Sequence, residues 1–331
     1  MNRYRLLHIT EFQYDGPVSE SYNEVRLRPM QDEMQSCLSF RISTVPMSQP
    51  SSHLDFFGNW VHQFNVLPEH RMLRIETESV VLVQSPIPFS GRGITLKEHD
   101  ERREEIADDF YDLIMPTEYT PHVTQLIPLI QAAEDASGGT ALGFVETACH
   151  QVHERFRYEK GATQVKSTVI DALNAGAGVC QDFAHLLIAM ARTRGLPARY
   201  VSGYLVPRRT AEPGASVEEV IGGQASHAWA EAYVTGVGWV PLDPTLDKPV
   251  GIQHIRLAYG RDYGDVAPVR GVYKGHAGQR LSVDVRVRPA LDDEGCEHLQ
   301  ETAAGPPVEL ERMEPPQQQQ QQQQQQSEKA L

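Results

Sequence analysis

Cysteine is scarce in this chain: Cys37, Cys149, Cys180 and Cys296 are the four in 331 residues. They are too few and too scattered for a disulfide-stapled fold, and no C-x-x-C pair offers a structural zinc site. Free thiols in a reducing cytoplasm are therefore expected. Long apolar runs are missing too. No segment approaches the roughly 20 apolar residues that span a bilayer. The opening MNRYRLLHITEF lacks the apolar stretch and small-residue cleavage site of an export signal. Basic charge is the third shortage. Thirty Lys and Arg face 44 Asp and Glu, a net charge of −14, which argues against nucleic acid or an anionic membrane as partner. No D-x-[DN]-x-[DN]-G loop is present, so calcium is not implied. Neither a metal nor an organic cofactor is expected.

The surplus of acid is local. Residues 98–112 hold eight acids against two arginines, −6, and residues 291–331 hold nine acids against Arg312 and Lys329, −7. The remainder carries only −1. That distribution says little about a basic substrate. At 40% apolar residues the composition is that of a folded protein with room for one large core or two smaller ones.

Residues 1–85 read as antiparallel β. Short alternating runs recur at 10–14, 24–28, 38–42 and 73–83. Between them Leu54-Asp-Phe-Phe-Gly58-Asn59-Trp60 suggests a hairpin whose positive φ angles fall on Gly58 and Asn59. A small β-sandwich is expected. Residues 86–135, with Pro86, Pro88, Gly91 and the acidic stretch, read as a linker or interdomain helical segment. From Ala141 a stripe of Leu142, Val145, Cys149, Val152 and Phe156 predicts a helix with Cys149 buried as a structural thiol. His150 and His153 lie at i, i+3, but no further metal ligand is placed near them.

Thr168 and Asp171 form a capping-box-like pair that opens a short helix, and Asn174-Ala-Gly176-Ala-Gly178 ends it. A second helix is predicted from Cys180 to about Arg194, stopped by Gly195-Leu-Pro197. Strands are expected at 199–205, 227–234 and 239–242, and a last one at 281–287. A core over 136–290 follows from this run of elements. From 291 the chain turns to acids, paired prolines and ten consecutive glutamines, Gln317 to Gln326. That composition predicts a disordered tail.

Cys180 stands where the chemistry is most legible. It follows a Gly-Ala-Gly-Val turn at the start of a helix, where unpaired N–H groups and the helix dipole stabilise a thiolate or an oxyanion. The same context also suits a small buried hydrophobe before a core helix. A nucleophilic thiol needs a base. His185 falls roughly 140° around the helix from Cys180, so it is read as structural. His227 opens a strand in which small residues alternate with large ones. A turn near Gly236-Val-Gly238 brings Asp243 close to opposite His227, within reach of the imidazole. Asp247 lies further past the hairpin and is the weaker candidate.

These blocks carry a resemblance. Gly178-Val-Cys180-Gln-Asp-Phe-Ala-His, Ser-His227-Ala-Trp-Ala-Glu and Gly-Trp-Val-Pro-Leu-Asp243-Pro-Thr resemble, in that order, the three blocks of the transglutaminase-like superfamily. Residues 198–204 and 260–272 extend the similarity, and the first 85 residues resemble the N-terminal region of bacterial members. The resemblance implies an α+β fold: an N-terminal antiparallel β-sandwich followed by a papain-like core, with a Cys-bearing helix packed on an antiparallel sheet that carries His and Asp. It implies Cys180 as nucleophile, His227 as general base and acid, and Asp243 as the orienting carboxylate. Asn174, Tyr158 and Gln181 are alternative second oxyanion donors. Tyr158 and Trp229 are candidate substrate contacts, Trp229 and Trp239 being equally suited to core packing. Glu231 suits either a solvated strand position or a polar network.

The expected activity is acyl transfer from a peptide or side-chain amide through a Cys180 thioester. Hydrolysis, as in a cysteine protease or amidase, is favoured over transamidation, because an amine acceptor requires a site that limits water. A non-catalytic scaffold of the same fold is the remaining alternative. A protein or peptide is the expected partner.

Overall fold

The computed structural model describes residues 2–84, 93–206 and 226–290. The glutamine-rich tail lies outside the described residues. In chain order the strands of the first part are β1 (Asn2–Val25), β2 (Gln35–Val45), β3 (Ser51–Leu54), β4 (Trp60–Val66) and β5 (His70–Val83). Helices α1 (Leu96–Glu101), α2 (Arg103–Asp109), α3 (Tyr111–Ile114), α4 (Ile127–Ala136) and α5 (Ala141–Arg155) follow. Next come β6 (Arg157–Tyr158), α6 (Val169–Ala175), β7 (Ala177–Gly178) and α7 (Cys180–Arg194). Then the chain forms β8 (Ala198–Leu205), β9 (Ser226–Val234), β10 (Gly238–Asp243), β11 (Lys248–Pro249) and β12 (His254–Gly260). It closes with α8 (Tyr263–Val266), β13 (Val269–Lys274) and β14 (Gln279–Pro289). None of the described helices is long and apolar enough to cross a membrane.

The chain divides into two compact units: residues 2–54, 60–84 and 269–290 in the first, and 55–59 and 93–268 in the second. In the first unit β1 is the shared strand of two four-stranded antiparallel halves. Its first part pairs with β5 and β14, its second with β4 and β13; β2 and β3 complete the two edges. The two short runs expected at 10–14 and 24–28 thus belong largely to one strand. Its pattern explains how one strand serves two halves. Tyr4, Leu6, His8, Thr10, Phe12 and Tyr14 are buried, all even positions; Ser21, Asn23 and Val25 are buried, all odd. One extra residue between Ser19 and Tyr22, with Glu20 at φ 49°, switches the phase. A bulge therefore turns the strand's apolar face from one half to the other.

Three expectations are corrected here. The hairpin between β3 and β4 turns through Asp55–Asn59, with Asp55 N–H bonded to Asn59 O, and its positive φ falls on Gly58 alone. Asp55 Oδ1 accepts the Phe57 and Asn59 N–H groups, so a side chain closes the turn that a second left-handed residue was expected to close. The core, read as 136–290, loses its last strands: β13 and β14 pair with β1, because the polar-apolar alternation of 279–289 matches the edge that β1 leaves open. The segment read as a linker forms α1–α4 within the second unit. Buried Arg192 fixes it there, donating to Leu113 O, Met115 O and Thr120 Oγ1, and to Ala198 O and Arg261 O.

In the second unit five antiparallel strands stand in the order β11-β10-β9-β8-β12. Helix α7 packs on β8 and β9, with α5 against α7 and α4 against α5. The small residues of β9 now have a reason. Ala228, Ala230 and Ala232 form the face buried with α7, whose Phe183, Ala184 and Leu187 belong to the same core. Alanines let a helix lie close on a sheet. Thr168 and Asp171 cap α6 as expected: the Asp171 carboxylate accepts Thr168 N–H (2.7 Å) and Oγ1 (2.9 Å). Gly176 ends α6 in the left-handed region. Gly195 ends α7 in the same way, with Arg192 and Arg194 in its last turn.

Candidate active site

Cys180 is the first residue of α7 and is half-buried, whereas Cys149 is buried in the middle of α5. Burial pushes the Cys149 thiol far up, in keeping with a structural role. The turn that delivers Cys180 is built around Asp182, a residue to which the sequence reading gave no role. The Asp182 carboxylate is buried, and it accepts Val179 N–H (2.8 Å) and Thr163 Oγ1 (2.5 Å). Burial raises its pKa against the pull of those bonds. A Cβ on residue 178 would stand 2.7 Å from that carboxylate, so Gly178 is there for space and Gly176 for the left-handed turn. Within the helix the N–H groups of the first turn have no carbonyl to bond, and they point the positive end of the dipole at the sulfur.

His227 lies on β9, and Asp243 ends β10. The ladder pairs Leu242 with Ala230, which brings Asp243 opposite Trp229, one diagonal step from His227. That step is enough: His227 Nε2 donates to Asp243 Oδ2 at 2.8 Å. The imidazole also hydrogen-bonds the Cys180 side chain, which falls to Nδ1 once Nε2 is given to the carboxylate. Burial works against a charged imidazole, but the Asp243 and Cys180 partners outweigh it and lift His227 to about 10. Burial likewise opposes charge on Asp243, yet the two imidazole donors hold its carboxyl well below the usual range. The structure thus lines up thiol, imidazole and carboxylate in the order the sequence spacing suggested.

A second imidazole, missed in the sequence, completes this cluster. His254 Nε2 lies 3.0 Å from the same Asp243 Oδ2, while Oδ1 accepts Thr245 N–H (3.0 Å) and Leu246 N–H (3.3 Å). No local signal marks His254. It lies on β12, at the edge beyond β8 and three places from β10 in the sheet, 11 residues after Asp243. Among the described residues, His227, Asp243 and His254 form the one group of His, Cys, Asp and Glu with ligand atoms close enough for a metal. Their separations are those of direct N–H···O bonds, shorter than the gaps between ligands about 2.0–2.2 Å from a shared ion.

Trp229 is corrected as a substrate contact. It is completely buried, its ring set edge-on to His254 with 5.2 Å between centroids. A Cβ on Gly203 would meet its ring at 2.5 Å, so the indole is packed beneath the imidazoles rather than along a cleft. Tyr158 is partly buried on β6 beside β7, and burial plus the nearby Cys180 push its phenol to about 12. Tyr200, not singled out from the sequence, is buried and also feels Cys180. Gln181 is otherwise engaged: its amide donates to Val165 O at 2.9 Å. Asn174 is exposed on the last turn of α6. Glu231 resolves to the polar network. It is buried between Arg199 and Arg256, the latter at 2.7 Å. His185 is buried between Tyr119 and Tyr200, accepts Tyr263 N–H, and is pushed by burial to about 3. His150 pairs with Asp247 at 2.7 Å, which gives it a carboxylate rather than His153 as partner.

Comparison with known proteins gives the family. The chain belongs to the transglutaminase-like superfamily: the superfamily core matches residues 131–244, and the bacterial transglutaminase-like N-terminal region matches residues 4–82. An uncharacterised protein of Mycobacterium leprae is 37% identical over 287 residues, covering 87% of this chain and 99% of the relative. One from Mycobacterium tuberculosis is 32% identical over 312 residues, covering 88% and 94%. Among solved structures, a protein of Cytophaga hutchinsonii described as a candidate cysteine protease superimposes with a TM-score of 0.67 at 20% identity, covering 88% of this chain and 92% of the other. That likeness is one of fold.

Proposed function

We propose that this chain is a thiol-dependent acyl-transfer enzyme that hydrolyses peptide or side-chain amides, with Cys180 as nucleophile, His227 as acid and base, and Asp243 as the orienting carboxylate. One observation carries the reading: a continuous hydrogen-bonded line from a buried carboxylate through an imidazole to a thiol at a helix N-terminus. Against the effect of burial, the Asp243 and Cys180 partners raise the pKa of the imidazole, which suits it to hold a proton beside the sulfur.

In this mechanism the Cys180 thiolate attacks the amide carbonyl, and the oxyanion forms beside the first-turn N–H groups of α7. Tyr158, kept as a phenol by its raised pKa, is the proposed second donor. His227 gives its proton to the departing amine as the C–N bond breaks, leaving an S-acyl thioester. Neutral His227 then takes a proton from water, whose oxygen attacks the thioester. The carboxylic acid leaves and the thiolate–imidazolium pair is restored. Asp243 keeps the ring in one tautomer and position throughout.

The test has two parallel arms on folded protein, one with a thiol-directed electrophile and one with a peptide-amide library with and without a primary amine, both read by mass spectrometry. Labelling at Cys180 that Cys180→Ala abolishes, with free acid as product, is the expected result. Amide exchange dominating when the amine is present would make the protein a transamidase. Absence of Cys180 labelling in the folded chain would leave a scaffold.

A further inference from the structure

The Asp243 carboxylate is fully buried and each oxygen accepts two donors: His227 Nε2 and His254 Nε2 on Oδ2, and two backbone N–H groups on Oδ1. That exhausts the roughly four acceptor sites of a carboxylate. Three of these donors are expected in an arrangement of this kind: the imidazole it orients, and backbone from the turn that follows β10. The fourth comes from β12, 11 residues past Asp243, and has been given a fixed form. Gly251 N–H points at His254 Nδ1 at 3.1 Å, so Nδ1 carries a lone pair and the proton is on Nε2, toward Asp243. The reverse bond, His254 N–H to Gly251 O at 2.9 Å, closes the loop that enforces this. The Trp229 ring is set edge-on against the imidazole, with 5.2 Å between centroids.

We propose that His254 is a positioning residue of the active site, a neutral Nε2–H donor that fixes the Asp243 carboxylate in the rotamer aimed at His227 and limits how much negative charge Oδ2 turns on the His227 imidazolium. This rests on the acyl-transfer reading and deepens it. Two imidazoles therefore share one carboxylate oxygen in opposite charge states: His227 is charged because it also faces Cys180, and His254 is neutral because its other nitrogen faces an N–H. Burial, opposed by the pull of Asp243, holds His254 below its ordinary pKa, in keeping with that form. The charged and titratable groups that act on the pair are Cys180 on α7, Asp243 on β10 and Lys248 on β11.

Two substitutions separate positioning from bulk. In His254→Gln the side-chain amide can place an N–H near the position of Nε2; in His254→Asn it can reach only the position of Nδ1, keeping an acceptor for Gly251 but losing the donor to Asp243. Alkylation of Cys180 by iodoacetamide, followed across pH, is the readout. His254→Asn should slow alkylation near neutral pH about tenfold, the loss for one charge-assisted hydrogen bond. It should also move the alkaline limb assigned to His227 upward, since Oδ2 keeps the charge it formerly shared. His254→Gln should restore both. An unchanged rate and limb in folded His254→Asn, or a His254→Gln as impaired as His254→Asn, would overturn the proposal. A second measurement needs no variant of doubtful folding: nitrogen NMR of the intact wild type should show His254 as the Nε2–H tautomer with bare Nδ1, and a proton on Nδ1 would overturn it equally. Failure of the acyl-transfer reading looks different, because Cys180 would then show no His227-dependent alkylation in the wild type, whatever the tautomer of His254.

Discussion

Imidazoles in the two units are buried to a similar depth, yet His227 of the second differs in charge from His8 and His62 of the first. In the first unit His8 lies on β1 with a Thr10 hydroxyl 3.0 Å away, and burial, eased slightly by Asp284, drives it down to about 4. His62 on β4 is likewise lowered to about 4, by burial and then by Arg28 and His53. In the second unit His227 is just as buried, yet a carboxylate on one nitrogen and a thiol on the other lift it to about 10. Burial sets the penalty on charge; the partner sets its sign. The same contrast separates the thiols of the second unit. Cys149 sits on the apolar stripe of α5 among Phe144, Val145 and Val152, and Cys180 begins a helix opposite an imidazole. His8 and His62, kept neutral by burial, suit a β-layer that serves as scaffold. A titrating relay needs charged partners held out of water.

That contrast can be broken at its partner. In Asp243→Asn the lift on His227 should lose its carboxylate share and leave Cys180 alone against burial, so its pKa should fall. Cys180 alkylation at pH 7 should then drop about 100-fold, and the alkaline limb near 10 should move to lower pH; a limb that stays in place would mean Asp243 does not contribute to the shift. Stability responds in opposite senses in the two units. His227, raised in the folded state, contributes fully below about pH 6.5 and loses that contribution as pH rises through about 10. His8, lowered in the folded state, contributes above about 6.5 and loses its part as pH falls through about 4. His8→Gln should therefore remove about 2–3 kcal/mol of the acid-induced loss between pH 6.5 and 4, measured by denaturant unfolding at each pH. The smallest effect is expected of the second thiol. Cys149→Ala should leave Cys180 labelling unchanged and lower stability by about 1 kcal/mol for the small cavity, visible as a shift in the unfolding midpoint.

Most of the site's local machinery was legible from adjacent residues. The Gly-Ala-Gly-Val turn and the apolar spacing of Phe183, Leu186, Leu187 and Met190 placed Cys180 at a helix start. The run from Ser226 to Thr245 folded His227 and Asp243 together, because a tight antiparallel hairpin fixes which residues meet. Asp182 was equally close at hand. Its third position in the helix is a capping signal, but only the close approach to Gly178 shows that the carboxylate is turned inward. Trp229 was misleading for a related reason: strand alternation gave its face, and the depth of that face depends on Gly203 of the neighbouring strand.

What the sequence by itself determined is what near neighbours and periodicity encode: the order of helices and strands, the capped starts of α6 and α7, the buried Cys149, and the three blocks that meet as thiol, imidazole and carboxylate. What only the tertiary structure decided are the pairings between distant segments. The last two strands join β1 instead of the second unit, the segment read as a linker is tied into that unit by Arg192, and His254 arrives at Asp243 from a strand three places away in the sheet. Hydrogen-bond ladders and buried donors are satisfied by whichever partner the closed fold brings near. That choice leaves no mark in the few residues around each group, so it becomes visible only once the chain has closed.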